Sequence, residues 1–199
     1  SCYFDCTNFY FEIDREDGFR RKGPSKEHRP EPIVGMGLLL DADCIPIGMS
    51  VFPGNESEKP QLRKVISQLR ERNAVTGRTV RAADKGLDCA DNVADAVLAK
   101  DGYIFSKSVK GLPAAERAWA LSDEGWADVG DGHGGVLCRI EEATGEFVYH
   151  VTGADGRKRA VPLPEKRVVT YSPSLARKQA YEIDRQVEKA RGLRLASAK

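Results

Sequence analysis

Two aspartates are the residues of this sequence best suited to chemistry. Asp5 stands at the end of a short aromatic run, Cys2-Tyr3-Phe4-Asp5-Cys6-Thr7, and Asp84 closes a second strand-like run, Thr79-Val80-Arg81-Ala82-Ala83-Asp84-Lys85-Gly86. A β-strand that stops on an aspartate presents a carboxylate at the carboxyl edge of its sheet, so two such strands side by side would bring Asp5 and Asp84 together. Paired carboxylates repel unless something positive lies between them, and a divalent metal is the usual answer. A lone aspartate at a strand end is more often a turn residue or a helix cap. Two of them, each preceded by strand-forming residues, favour a ligand pair. Oxygen ligands suit Mg²⁺ or Mn²⁺ better than zinc, and His28, His133 and His150 are too scattered to argue for a zinc site.

Several elements must position that pair. Residues 2 to 13 read as one long strand, followed by a polar, basic loop that contains Arg20, Arg21, Lys22, Lys26 and Arg29. Ile33 to Leu40 and Ile45 to Phe52 are apolar runs bracketing Asp41-Ala42-Asp43-Cys44, a hairpin turn. Leu62, Val65, Ile66 and Leu69 then fall at helical spacing, with Ser57 available as N-cap and an end near Asn73. A strand over Thr79 to Asp84 leads to a second helix with Ala90, Val93, Ala94, Val97 and Leu98 on one face, closed by Gly102, and then to a strand over Tyr103 to Ser106. The order β-β-β-α-β-α-β implies an α/β fold, a mixed sheet covered by helices.

From about Lys107 the character changes. Val136 to Ile140, Glu146 to Val151 and Arg167 to Tyr171 read as short strands, separated by turns at Glu142-Ala143-Thr144-Gly145 and Gly153-Ala154-Asp155-Gly156. Ser172-Pro173 then opens a helix whose apolar seam is Ala176, Ala180, Ile183, Val187 and Ala190, ending at Gly192. Its other face carries Arg177, Lys178, Arg185, Lys189 and Arg191, so the chain has a basic helix toward its C-terminus.

Composition sets the outer bounds. The 41% hydrophobic and 31% charged content of these 199 residues is that of a chain with a real core. The net charge of +1 hides an asymmetry: residues 157 to 199 hold twelve bases against four acids, which suggests either a polyanionic partner or a solvated basic helix. An odd number of cysteines, five, with no close pairing reads as reduced thiols in the cytoplasm.

Four strings in order, Tyr3-Phe4-Asp5-Cys6-Thr7-Asn8-Phe9-Tyr10-Phe11-Glu12, Gly23-Pro24-Ser25-Lys26-Glu27-His28-Arg29-Pro30, Gly48-Met49-Ser50-Val51-Phe52-Pro53-Gly54-Asn55 and Ala83-Asp84-Lys85-Gly86, resemble the catalytic domain of bacterial insertion-sequence transposases of the DDE type. The resemblance implies an RNase H-like fold over residues 1 to 110. It implies a β-rich insertion unit with the basic helix over 111 to 199. It also implies Mg²⁺ or Mn²⁺ as cofactor, DNA ends and target as partners, a homodimer on DNA and a bacterial cytoplasmic setting. In that family two aspartates and a glutamate bind two metal ions, and the first two acids map onto Asp5 and Asp84. The loop bases Arg20, Arg21, Lys22, Lys26 and Arg29 would then contact phosphates, although an ordinary exposed loop has the same composition. Lys85 stands where the family has arginine. The family's Tyr-x-x-Arg-x-x-x-Glu-x-x-x-x-x-x-Lys pattern has no counterpart, since in Tyr181-Glu182-Ile183-Asp184-Arg185-Gln186-Val187-Glu188 the spacings differ. The third acid is therefore expected beyond Lys199, and the chain is expected to be an inactive fragment by itself.

Two other readings compete. A haloacid-dehalogenase-like phosphotransferase also begins with a strand-end aspartate, and Asp84 and Asp88 have the spacing of its later pair, but its general acid would fall at Thr7. A non-catalytic, DNA-binding or structural remnant of a mobile element is the third reading, supported to the extent that two acids are present where three are needed.

Overall fold

A computed structural model describes residues 1–72, 77–153 and 155–192. The elements run β1 (Cys2–Tyr10), β2 (Ile33–Leu40), β3 (Pro46–Pro53), α1 (Gln61–Glu71), β4 (Val80–Ala83), α2 (Ala90–Leu98), β5 (Gly102–Phe105), α3 (Ala114–Ala120), β6 (Ala127–Gly130), β7 (Val136–Thr152), β8 (Lys158–Tyr171) and α4 (Pro173–Gly192). Five strands form a sheet in the order β3-β2-β1-β4-β5. β1 is antiparallel to β2 and β2 to β3, whereas β1, β4 and β5 are parallel neighbours. The fold is mixed α/β. Among the described residues no helix is long and apolar enough to cross a membrane.

Alternation in β1 sorts the two faces of this sheet. Cys2, Phe4 and Cys6 are buried and join Leu39, Phe52 and the α1 residues Leu62, Val65, Ile66 and Leu69 in one cluster. Tyr3 and Asp5 point to the opposite face, where Met49, Val51 and Ile104 are also exposed. The period-2 pattern of strands and the near-four spacing on the helix thus meet in a single core. α2 adds Val93 and Ala96 to the covered side.

At the amino end of β4 sits a buried ionic cluster. Asp101, with its side chain fully buried, accepts from Arg70 Nη2 at 2.8 and 2.7 Å, from the Thr79 amide at 3.0 Å and from Arg81 Nε at 2.9 Å. Arg81 Nη1 also reaches Asp95 at 2.6 Å. Burial alone would raise the Asp101 carboxyl. The bonds from Thr79 and Arg81 and the charge of Arg81 outweigh it and hold the group below the ordinary aspartate range.

The basic loop is anchored by close backbone approach. A Cβ on Gly23 would lie 1.9 Å from the Gly54 carbonyl oxygen, and one on Gly54 would lie 2.3 Å from that of Ile33. Glycine is required at both positions, which gives the Gly23-Pro24 and Pro53-Gly54-Asn55 strings a packing role. Arg21 and Ile33 form an isolated antiparallel bridge beside them.

The chain divides into two compact units, Ser1–Leu112 with Val148–Val161, and Pro113–Phe147 with the residues from Pro162 onward. A second sheet has the order β6-β7-β8. In the second unit Arg167 pairs with Glu116 and stacks over the Phe147 ring at 3.4 Å, and Trp126 meets Tyr171 edge-on at 6.4 Å.

Several expectations need correction. β1 stops at Tyr10, not residue 13, and Asp5 lies inside the strand instead of at its end. Ser57 does not cap α1, which starts at Gln61; its hydroxyl accepts from the Lys59 amide at 3.3 Å. The helix ends at Glu71 with Arg72 as its C-cap, close to the expected end, and Asn73 itself lies outside the described residues. In α2 the inward residues are Asn92, Val93 and Ala96, while Val97 and Leu98 are exposed. Asn92 takes an inward place because its amide donates to the carbonyls of Lys59 and Leu87. Gly102 begins β5, and the left-handed residue after α2 is Lys100, with φ 59°. The expected turn at Glu142-Ala143-Thr144-Gly145 is part of the continuous β7. α4 has the expected bounds, with Ser172 Oγ accepting from the Leu175 amide at 3.4 Å, but none of its residues is buried.

Candidate active site

The parallel strands β1 and β4 pair through Cys2↔Arg81, Tyr3↔Ala82 and Phe4↔Ala83. The ladder ends there, and its register continued by one residue would set Asp5 opposite Asp84. Neighbouring strands are about 4.8 Å apart, and parallel partners at the same step share a face, so both carboxylates lie on the exposed side of the sheet. β1 continues against β2 as far as Tyr10, but β4 ends at Ala83. Asp5 is therefore an edge residue on its β4 side although it is internal to its own strand. Chain connections leave β1 toward β2 and β4 toward β5, which makes this gap the switch point of the sheet, where open α/β sheets form their ligand crevice.

Each aspartate is held through one oxygen. Asp5 Oδ1 accepts from the Cys6 amide at 2.8 Å and has Lys26 Nζ at 4.0 Å. Asp84 Oδ1 accepts from the Lys85 amide at 2.6 Å, capping the single 3-10 turn that follows, and from Ser106 Oγ at 3.1 Å. Ser106 comes one step after the Ala83↔Phe105 pair, so three successive parallel strands contribute Asp5, Asp84 and Ser106 to one edge. Sequence reasoning passed over Ser106; extending the register of its strand by one residue finds it.

The local field is negative. Burial pushes the Cys6 thiol up to about 12, helped by the charges of Glu58 and Asp5 and opposed by Lys26. Cys6 is therefore a protonated core thiol and no nucleophile. Glu58 Oε2 lies 3.9 Å from where a Cβ on Gly86 would stand, bringing a further carboxylate near the turn after Asp84. Among the described residues, no group of three or more His, Cys, Asp and Glu side chains is gathered to hold a metal ion.

The other candidate residues are dispersed. Arg20 pairs with Asp17 at 2.5 Å and stacks on Phe11 at 5.7 Å. Arg21 Nη1 donates to the Asp17 carbonyl at 3.4 Å, Lys22 is exposed, and Arg29 pairs with Glu27 at 3.2 Å over the Tyr10 ring. Lys26 alone of the five turns onto the strand edge, where its ammonium donates to the Cys6 carbonyl. Asp88 is bound to Lys107 at 3.3 Å. His28 and His150 are exposed.

In comparisons with known proteins, no family model, no curated protein and no solved structure matches this chain.

Proposed function

We propose that the sheet of this chain is the catalytic core of a metal-dependent polynucleotidyl transferase, a DNA transposase of the DDE type with an RNase H-like fold. The observation that supports the reading is the parallel register of β1 and β4, whose last pair, Phe4↔Ala83, is followed on both chains by an exposed aspartate, Asp5 and Asp84. Two exposed carboxylates, each anchored through one oxygen, fit a hard cation that keeps several of its waters, as Mg²⁺ and Mn²⁺ do. Bound there, such an ion would supply charge stabilisation and activation of an attacking oxygen at a phosphodiester. Asp5 and Asp84 hold it, Ser106 fixes the orientation of Asp84, and the 20–29 loop offers cations to DNA phosphates. The glutamate spacing of such a site is not matched at Tyr181–Glu188, so cleavage is proposed only where a third acid completes the pair.

Nicking of DNA carrying the element's terminal repeats tests the proposal. Asp5→Asn and Asp84→Asn, in a protein whose site holds the third acid, are each expected to abolish Mg²⁺-dependent cleavage while leaving the circular dichroism spectrum unchanged. Cleavage retained in either variant overturns the assignment.

A further inference from the structure

Lys26 differs from its neighbours in what its charge faces. Arg20 and Arg29 are each committed to an acid on the same loop and to an aromatic ring. Lys26 reaches back twenty residues to the Cys6 carbonyl and stands 4.0 Å from Asp5 Oδ1, with its side chain half exposed. The root of that side chain is fixed by the buried Ser25, the turn bond from the His28 amide to the Ser25 carbonyl at 3.1 Å, and the clamped Gly23–Gly54 approach. A compact ammonium on a four-carbon stem can thus swing while its base stays in place.

We propose that Lys26 is a positioning residue of the Asp5–Asp84 site: a counter-ion on Asp5 that a divalent cation displaces, and that then binds a non-bridging oxygen of the reacting phosphate. This rests on the reading of Asp5 and Asp84 as metal ligands. The two cations compete for Asp5. One carboxylate cannot give its full interaction to an ammonium and to a doubly charged ion, and the doubly charged ion wins. Once displaced, the ammonium is tethered beside the acids by its fixed loop, and a phosphate oxygen drawn to the same ion is its strongest available acceptor.

Mn²⁺ binding to the 199-residue chain, read by electron paramagnetic resonance, and inorganic phosphate binding to the Mn²⁺-loaded protein, read by ³¹P relaxation, test this together. Lys26→Met is expected to tighten Mn²⁺ roughly fivefold, because an exposed competitor is removed, and to weaken phosphate roughly tenfold, because a charge-assisted bond is lost. Lys26→Arg should restore both values toward wild type. Loss of loop structure would weaken both ligands, so opposite movements mark the proposed role. If Lys26→Met changes neither ligand while Asp5→Asn abolishes Mn²⁺ binding, Lys26 has no such role and the metal reading stands. If wild type, Asp5→Asn and Asp84→Asn bind Mn²⁺ alike, both ideas fall.

Discussion

The sheet carries aspartates at both ends of β4, and they are treated in opposite ways. At the amino end, Asp101 is buried and receives bonds from Arg70, Thr79 and Arg81. At the carboxyl end, Asp5 and Asp84 are exposed, and their contacts fall on one oxygen each. A carboxylate saturated by two guanidinium groups in a dry site is a structural tie, costly to unpair and unable to accept another ligand. A carboxylate pair anchored from one side and open to solvent contributes little to stability and keeps capacity for a cation. On the proposed reading, that difference separates the structural acid from the metal-binding pair better than the residue type does.

Breaking the structural cluster should have the largest effect. Asp101→Asn removes the carboxylate shared by Arg70 and Arg81, leaving buried Arg81 only its pair with Asp95, and is expected to cost about 3 kcal/mol in urea unfolding. Its folded fraction should bind Mn²⁺ as wild type does.

Acid titration comes next. The Asp101 carboxyl is depressed on folding, so its stabilisation is present above the unfolded value near 4 and is lost as pH falls through the lower folded value. Asp17 is held at about 2 by the amides of Arg20 and Phe19 and by the Arg20 side chain, and it acts in the same direction. Tm should therefore fall between about pH 4 and pH 2, and Asp101→Asn should flatten part of that slope.

Ser106→Ala removes one exposed hydrogen bond and should weaken Mn²⁺ binding about threefold, the lower end of what such a bond contributes. The smallest change in stability is expected for Asp5→Asn and Asp84→Asn, within about 0.5 kcal/mol of wild type, with Mn²⁺ binding lost in both. A large loss of stability in either would erase the contrast between the two ends of β4.

How much of this was legible depends on the range of the forces involved. Leu62, Val65, Ile66 and Leu69 are all buried, because α1 lies along one sheet face and helical periodicity reports that directly. The same logic found α2 and its buried Val93 but not the rest of its inward face, where the Asn92 amide satisfies two carbonyls across loops and so takes an inward place. Asp5 was legible as a residue but not as a position. Its edge character arises because β4 is shorter than β1, and no local pattern in residues 2–13 encodes the length of a partner strand. The Arg81–Asp101 tie was invisible for a related reason, since it joins residues twenty apart through burial set by tertiary packing. The basic loop read as uniform by composition, yet of its five bases the fold brings Lys26 to Asp5.

The central claim is that Asp5 and Asp84 share one divalent ion, and anomalous diffraction from a crystal soaked in Mn²⁺ tests it most directly. The expected result is a single anomalous peak at about 2.0–2.2 Å from a carboxylate oxygen of each residue, with waters completing six ligands. A fully soaked crystal with no peak at that edge, or with a peak that touches neither aspartate, would contradict it.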